Sequence, residues 1–426
     1  MDKNETKYYI VSLDNGIHTE EPVTIKVFNN FQDGSQLVQL NDTIFGVFKS
    51  HGSKDNLSYL DDYEIIKSDI AELFDISHEN NRRIVSEEAN VGVFTELNYS
   101  QNIETRISIT NILQSIITAI NSGEISGEKA QFYNKVLNYP NTTKGNAIQD
   151  EETIKNVIEL GIKAILDKLY IERKIPLDIE IEKSIRKHYI RMILFDFLVD
   201  RKYRSYDYSL ITTLNANNKP TWEKVYFAPI SVANSVEKND LVGENEYVLN
   251  NKYIAKDKII TTLYKYYYDD IKRLTETFSD ALKLYEDAIA RIIYNNTNLE
   301  KAKELEDIIN KNLEIVATAQ KEKEAKEYKE KKLNKVERTM ATQSINVKIT
   351  NKLDLIQKKY PINPKEHPEL INVKNTKEAD EKVKLIVEEE KNKKDGFTSS
   401  IILTSIVALI CGIGAGIAAI LLIIGN

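Results

Sequence analysis

Residues 401–425 of this 426-residue chain, IILTSIVALICGIGAGIAAILLIIG, form an apolar run without a single charge. A helix of that length extends about 37 Å. The hydrocarbon core of a bilayer is about 30 Å thick. The run is long enough to cross a membrane with some tilt. A buried helix in a soluble oligomer is the alternative. If the run spans a bilayer, the water-soluble fold is built from the preceding residues. The expectation is a transmembrane helix over 397–425 that contacts the lipid bilayer and tethers a body to it. Lys391, Lys393 and Lys394 precede the run, and the positive-inside bias then places the body on the cytoplasmic side. The N-terminal residues MDKNETKYYIVSLDNG hold no apolar stretch of signal-peptide length. Gly412 and Gly416 make a small-xxx-small face suited to close helix packing in lipid.

Bulk properties exclude several functions. The net charge is -7 with both signs interspersed, which argues against a nucleic-acid binder driven by gross electrostatics. The single cysteine, Cys411, lies in the apolar run, so neither an intramolecular disulfide nor a cysteine zinc site is available. The 5 histidines are scattered. No Walker loop, zincin, nucleophile-elbow or EF-hand motif occurs.

The pattern along the chain predicts an α+β protein. Residues 1–100 read as a small β-rich N-terminal lobe. YYIVSL, VTIKVF, LVQL and TIFGVFK are its strands, with turns at Asp33-Gly34 and Asn41-Asp42. Within it, Tyr59–Ile76 has helical spacing, with Ile65, Ile66, Ile70, Leu73 and Phe74 on one side. Arg83–Leu97 returns to strand character. Residues 101–296 read as a larger helical lobe, helical from Ile107, with the apolar segment Ile185–Val199 at its centre. A stripe of Ile259, Leu263, Tyr267, Ile271, Leu274 and Phe278 continues to Ile293. Residues 297–395 carry dense lysine and glutamate with sparse apolar positions at Leu299, Leu305, Ile309, Leu313 and Val316. They read as a charged helical stalk, with a short coiled coil as one form of it.

A helix bearing Glu64 follows the strand that holds Lys49. A polar stretch, Asp200–Asp207, follows an apolar helix, and another apolar strand ends near Asn234. In order and spacing, residues 25–290 resemble the HipA-like and phosphatidylinositol-kinase-like branch of the kinase superfamily. The likeness is strongest in IRMILFDFLVDRKYRSYDYSLI (190–211) and VYFAPISVANS (225–235). The resemblance implies a protein-kinase-like fold. It makes Lys49 the nucleotide-binding lysine, Glu64 its helix partner and Arg204 the loop arginine. It also implies ATP and magnesium as cofactors. The chain departs from the pattern at four positions. Tyr203 stands where the family has its catalytic aspartate, Ser205 at the histidine, Tyr208 near the loop asparagine, and Val232 at a metal aspartate. These departures remove phosphoryl transfer by the usual route, unless Asp200 or Asp207 substitutes in a rebuilt loop. Taken singly, Lys49 is equally an edge-strand surface lysine and Glu64 the polar face of a helix.

The expected function is thus a membrane-tethered pseudokinase-like regulatory or interaction protein that binds a protein partner or self-associates. One alternative is a working HipA-like Ser/Thr kinase. The other is a structural or defence-related membrane protein that oligomerises through stalk and tail. The abundance of Lys, Asn, Ile and Tyr suggests a low-GC bacterium or its phage as the source.

Overall fold

The computed structural model describes residues 8–14, 17–30, 35–53, 59–76, 78, 80–86, 90–96, 104–109, 112–139, 143–173, 178–204, 208–213, 226–228, 242–331 and 352–360. The expected membrane helix with Gly412 and Gly416, the Asp33-Gly34 turn, Asp207, Val232 and positions 332–351 and 361–395 lie outside them. Among the described residues no helix is long and apolar enough to cross a membrane.

The architecture is α+β, with an N-terminal sheet lobe and a C-terminal helical lobe. The strands are β1 (Tyr8–Asp14), β2 (Ile17–Val23), β3 (Ile25–Asn30), β4 (Gln36–Leu40), β5 (Ile44–Ser53), β6 (Asn81–Ser86) and β7 (Asn90–Glu96). They form an antiparallel sheet in the order β2-β1-β6-β7-β5-β4-β3. Ile10, Val38, Leu40, Phe48, Ile84 and Phe94 close its own small core. The segment that becomes β2, IHTEEPV, lacks strand composition. It pairs as an edge strand, where Pro22 is tolerated. Asn41 and Asp42 lie in the three-residue turn between β4 and β5, both at positive φ (46° and 58°), a conformation that asparagine and aspartate tolerate better than other side chains. Gly92 on β7 is needed for a close approach. A Cβ there would stand 2.3 Å from the Lys49 carbonyl oxygen, so the backbone around Lys49 is set by a residue without a side chain.

Helix α1 (Tyr59–Leu73) joins the lobes. Its Ile66, Ile70 and Leu73, with Phe74 just past its end, are buried in the helical core as the spacing predicts. The helical lobe contains α2 (Ile112–Asn121), α3 (Gly127–Leu137), α4 (Glu151–Arg173), α5 (Ile179–Leu198), α6 (Lys256–Tyr266), α7 (Tyr268–Asp280), α8 (Leu282–Asn296), α9 (Leu299–Lys331) and a short α10 over 352–359. Strand β8 (Glu104–Ile109) occupies the start of the segment expected to be helical from Ile107. ETRISI alternates with period 2 and pairs with β10 (Tyr208–Thr213), which pairs in turn with β11 (Tyr226–Ala228). Strands β9 (Tyr203–Arg204), β12 (Glu246–Leu249) and β13 (Lys252–Ala255) form another small sheet.

Helix α5 is central, and Ile185, Ile190, Ile193, Leu194 and Leu198 are buried. The stripe from Ile259 to Ile293 is buried as well, but it breaks at Tyr267 and Ala281 into α6, α7 and α8. The stalk expectation requires correction over its first part. Ala302, Leu305, Ile309, Leu313 and Val316 recur at steps of three and four, and all are buried against the body. Sparse apolar positions suffice when they fall on one stripe. Asn312 of α9 donates to the carbonyl oxygens of Phe197 (2.9 Å) and Leu198 (3.2 Å), capping α5.

Candidate functional site

The end of α5 runs into a loop over 199–202, and there the two lobes meet. Asp200 takes a left-handed backbone (φ 54°), which turns the chain sharply towards β9. The Arg201 amide closes the turn on the Asp196 carbonyl oxygen at 2.8 Å. From α1, the Tyr63 hydroxyl donates to the Val199 carbonyl oxygen. The Thr297 hydroxyl donates to Asp62 at 2.8 Å, and Arg83 of β6 pairs with the same carboxylate. Helix α1 is thereby pinned to the sheet, to the start of the loop and to the segment between α8 and α9.

Around this junction lies a buried charged cluster. Asp196, 0% exposed, is held by Arg204 through two donors, one of them Nε at 2.8 Å. The Tyr247 hydroxyl of β12 donates to the same carboxylate at 2.8 Å. Burial, then the Asp196 carboxylate, push the Tyr247 phenol far above its ordinary range. Glu64 accepts from Lys67, one helical turn along α1, at 2.6 Å. The Lys67 ammonium also lies 4.5 Å from the centre of the Tyr63 ring. Burial lowers Lys67 to about 8, against the pull of Glu64 and with help from Arg201 and Arg204. Arg201 is 9% exposed, and its Nε has no hydrogen-bond partner. Burial and the neighbouring Arg204 disfavour its charge, yet a guanidinium stays protonated. Three cations here face the two carboxylates Glu64 and Asp196, and both carboxylates are already engaged.

The residues proposed from sequence divide accordingly. Glu64 and Arg204 belong to this cluster. Lys49 is buried (8% exposed) on β5, opposite Val93 of β7, and is not a surface lysine. Asp200 stands outside the cluster in an ion pair with Lys256, with Lys202 at 3.9 Å. Tyr203 is partly buried, and its hydroxyl donates to Asn251 Oδ1 at 3.4 Å. Sequence reasoning missed Asp196, Lys67, Arg201 and Tyr247. Asp196 carried a signal, since it is the only acid in the apolar stretch MILFDFLV and a carboxylate so placed must be paired. Lys67 carried another, three residues after Glu64 on a helix. Among the described residues no three metal-ligating side chains converge.

No protein-family model matches the sequence, and no curated protein matches it. Among solved structures, the chain is similar to the crystal structure of a Helicobacter pylori proinflammatory kinase, CtkA. The identity is 12% and the TM-score 0.40, over 71% of this chain and 96% of that one.

Proposed function

We propose that this chain is a pseudokinase-like regulatory or interaction protein, HipA-like in its body and tethered to a membrane by 397–425. The observation that carries the reading is Tyr203, at the position the resemblance gives to the catalytic aspartate. A phenol is a poor general base. The two nearby carboxylates do not replace it. Asp196 is held by Arg204 and Tyr247, and Asp200 by Lys256. Magnesium prefers carboxylate and water oxygens in an octahedral shell. The side chains described around the loop offer it a phenol, guanidinium groups and carboxylates that are already paired. They do not fit the usual magnesium-ATP set. The cluster ties α1 to the loop end of α5, as a docking platform of fixed shape requires.

The test uses the full-length chain in mild detergent with radiolabelled ATP and magnesium, beside a Lys49→Ala control. The expected result is no magnesium-dependent transfer above that control. Transfer by wild type that the control loses would overturn the reading in favour of a working kinase with a rebuilt loop. For the anchor, cells expressing the chain with and without 397–426 are fractionated. A full-length protein left in the soluble fraction would sink that half.

A further inference from the structure

A second cluster of charge lies on the far side of α1. The C-terminal end of that helix, α5, α7, α8 and the start of α10 line an open cavity of about 290 Å³. Lys187 and Arg191 reach it from successive turns of α5, Arg273 from α7 and Lys352 from α10. Asp75 faces them and pairs with Lys352 at 3.2 Å. Asp270, beside Arg191 and Lys187, is the other carboxylate nearby, and burial raises it above the usual range. Arg191 donates to the Asp270 carbonyl oxygen at 3.2 Å, not to a carboxylate. Among the described residues, the side chains of Lys187 and Arg273 have neither hydrogen bond nor ion pair. The four cations exceed the two carboxylates by two charges. Lys187 is lowered first by partial burial and then by the neighbouring Arg191 and Arg273.

The cavity has an aromatic floor. The rings of Phe74 and Tyr285 meet at a tilt of 55°, with their centroids 5.3 Å apart. Tyr285 is only 4% exposed and lines the same space, and its hydroxyl has no hydrogen-bond partner among the described residues. The ring is buried while the hydroxyl opens on the cavity, which leaves a neutral donor for a ligand there.

We propose that this cavity binds a phosphate monoester. A phosphate carries close to two negative charges near pH 7, matching the local excess. Arg191 and Arg273 supply the planar forks that suit phosphate oxygens. Lys187 and Lys352 add point charges, Tyr285 a neutral donor, and the rings of Phe74 and Tyr285 a surface for the group that bears the phosphate. The volume admits a small ligand, not a polymer. The phosphate belongs to a soluble metabolite or to a lipid headgroup. Lys352 is supplied by α10, so an occupied site also ties that helix to α5 and α7. This inference stands apart from the reading of the 199–204 loop and survives its failure.

Full-length protein in mild detergent is titrated with phenyl phosphate and with inorganic phosphate, and with phenol as control. The expected result is saturable binding of phenyl phosphate, none of phenol, and slower amide exchange over 352–360 on binding. Arg273→Glu and Lys187→Glu are exposed changes that leave the fold intact. Each should weaken binding at least tenfold, and Arg273→Lys should recover part of it. Dioctanoyl phosphatidic acid is the second arm. Binding more than tenfold tighter than phenyl phosphate assigns the site to a lipid headgroup, and equal or weaker binding to a soluble ester. Silence with both phosphate probes, or binding that neither Glu variant changes, overturns the proposal.

Discussion

Tyr360, directly after α10, is the buried contact between that segment and α1. The side chain is 0% exposed. Its hydroxyl donates to the Asp69 carboxylate and lies 3.4 Å from Asn296 Nδ2. Its carbonyl oxygen accepts from Arg291 at 2.8 Å, and Lys359 adds an ion pair to Asp69 at 3.2 Å. Tyr360→Phe removes only the hydroxyl. A hydrogen bond to a charged group contributes about 1.5–3 kcal/mol. The loss should fall at the lower end, because Asp69 keeps Lys359. Tyr360→Ala also removes the buried ring, and aromatic truncations in a core cost about 3–5 kcal/mol. At tenfold per 1.4 kcal/mol, Ala should raise the opening frequency of the segment by roughly 150- to 4,000-fold. The assay is amide hydrogen exchange on the full chain, read over 352–360 and over α1. Both regions should lose protection in the order wild type, Phe, Ala. Protection in Tyr360→Ala within threefold of wild type, in both regions, would refute the claim that this segment clamps α1.

Two further outcomes follow from the buried cluster. Arg204→Met leaves Asp196 buried with Tyr247 as its remaining side-chain partner and should cost about 3–5 kcal/mol in urea unfolding, whereas adding Asp196→Leu should recover most of it. A single variant within 1 kcal/mol of wild type, also in an Arg201→Met background, would show that the pair is not desolvated. For Lys67, the folded chain releases its proton near pH 8, whereas the unfolded chain keeps it to about 10.5. Between those values the unfolded state binds more protons, so stability rises with pH across that window. The stability of wild type relative to Lys67→Met should therefore climb from pH 8 to pH 10, and a flat difference would contradict the burial of the ammonium.

Much of the fold was legible because local pattern and tertiary need agreed. The apolar stripes of α1 and α5 become core faces, and the β-branched runs before residue 50 become strands. β2 was not legible, since its glutamates and proline describe an edge and not a strand interior. The role of α9 was hidden by its charge density. A helix can be mostly lysine and glutamate and still bury one narrow stripe. Within the site, single residues were readable and their partners were not. Glu64 and Arg204 were selected, but Tyr247 meets Asp196 from 51 positions away and Asn312 caps α5 from 115 positions away from Phe197. Lys49 read as equally a surface lysine. Only its burial and its pairing with Val93 of β7, on a strand that has β7 and β4 as neighbours, show that it is not at the surface.

The partners of α1 also govern the order in which the molecule is built. Thr297 bonds Asp62 across 235 positions, and Tyr360 bonds Asp69 across 291. At roughly 5–20 residues per second of synthesis, about 15–60 s separate the emergence of Asp69 from that of Tyr360. Through that interval the sheet lobe and α1 exist without the segments that complete them, with part of their apolar surface open. The charged cluster beneath α1 likewise waits for the Asn312 cap on α5. The nascent chain thus passes through a long stage at which a chaperone has more of its surface to hold than in the finished protein.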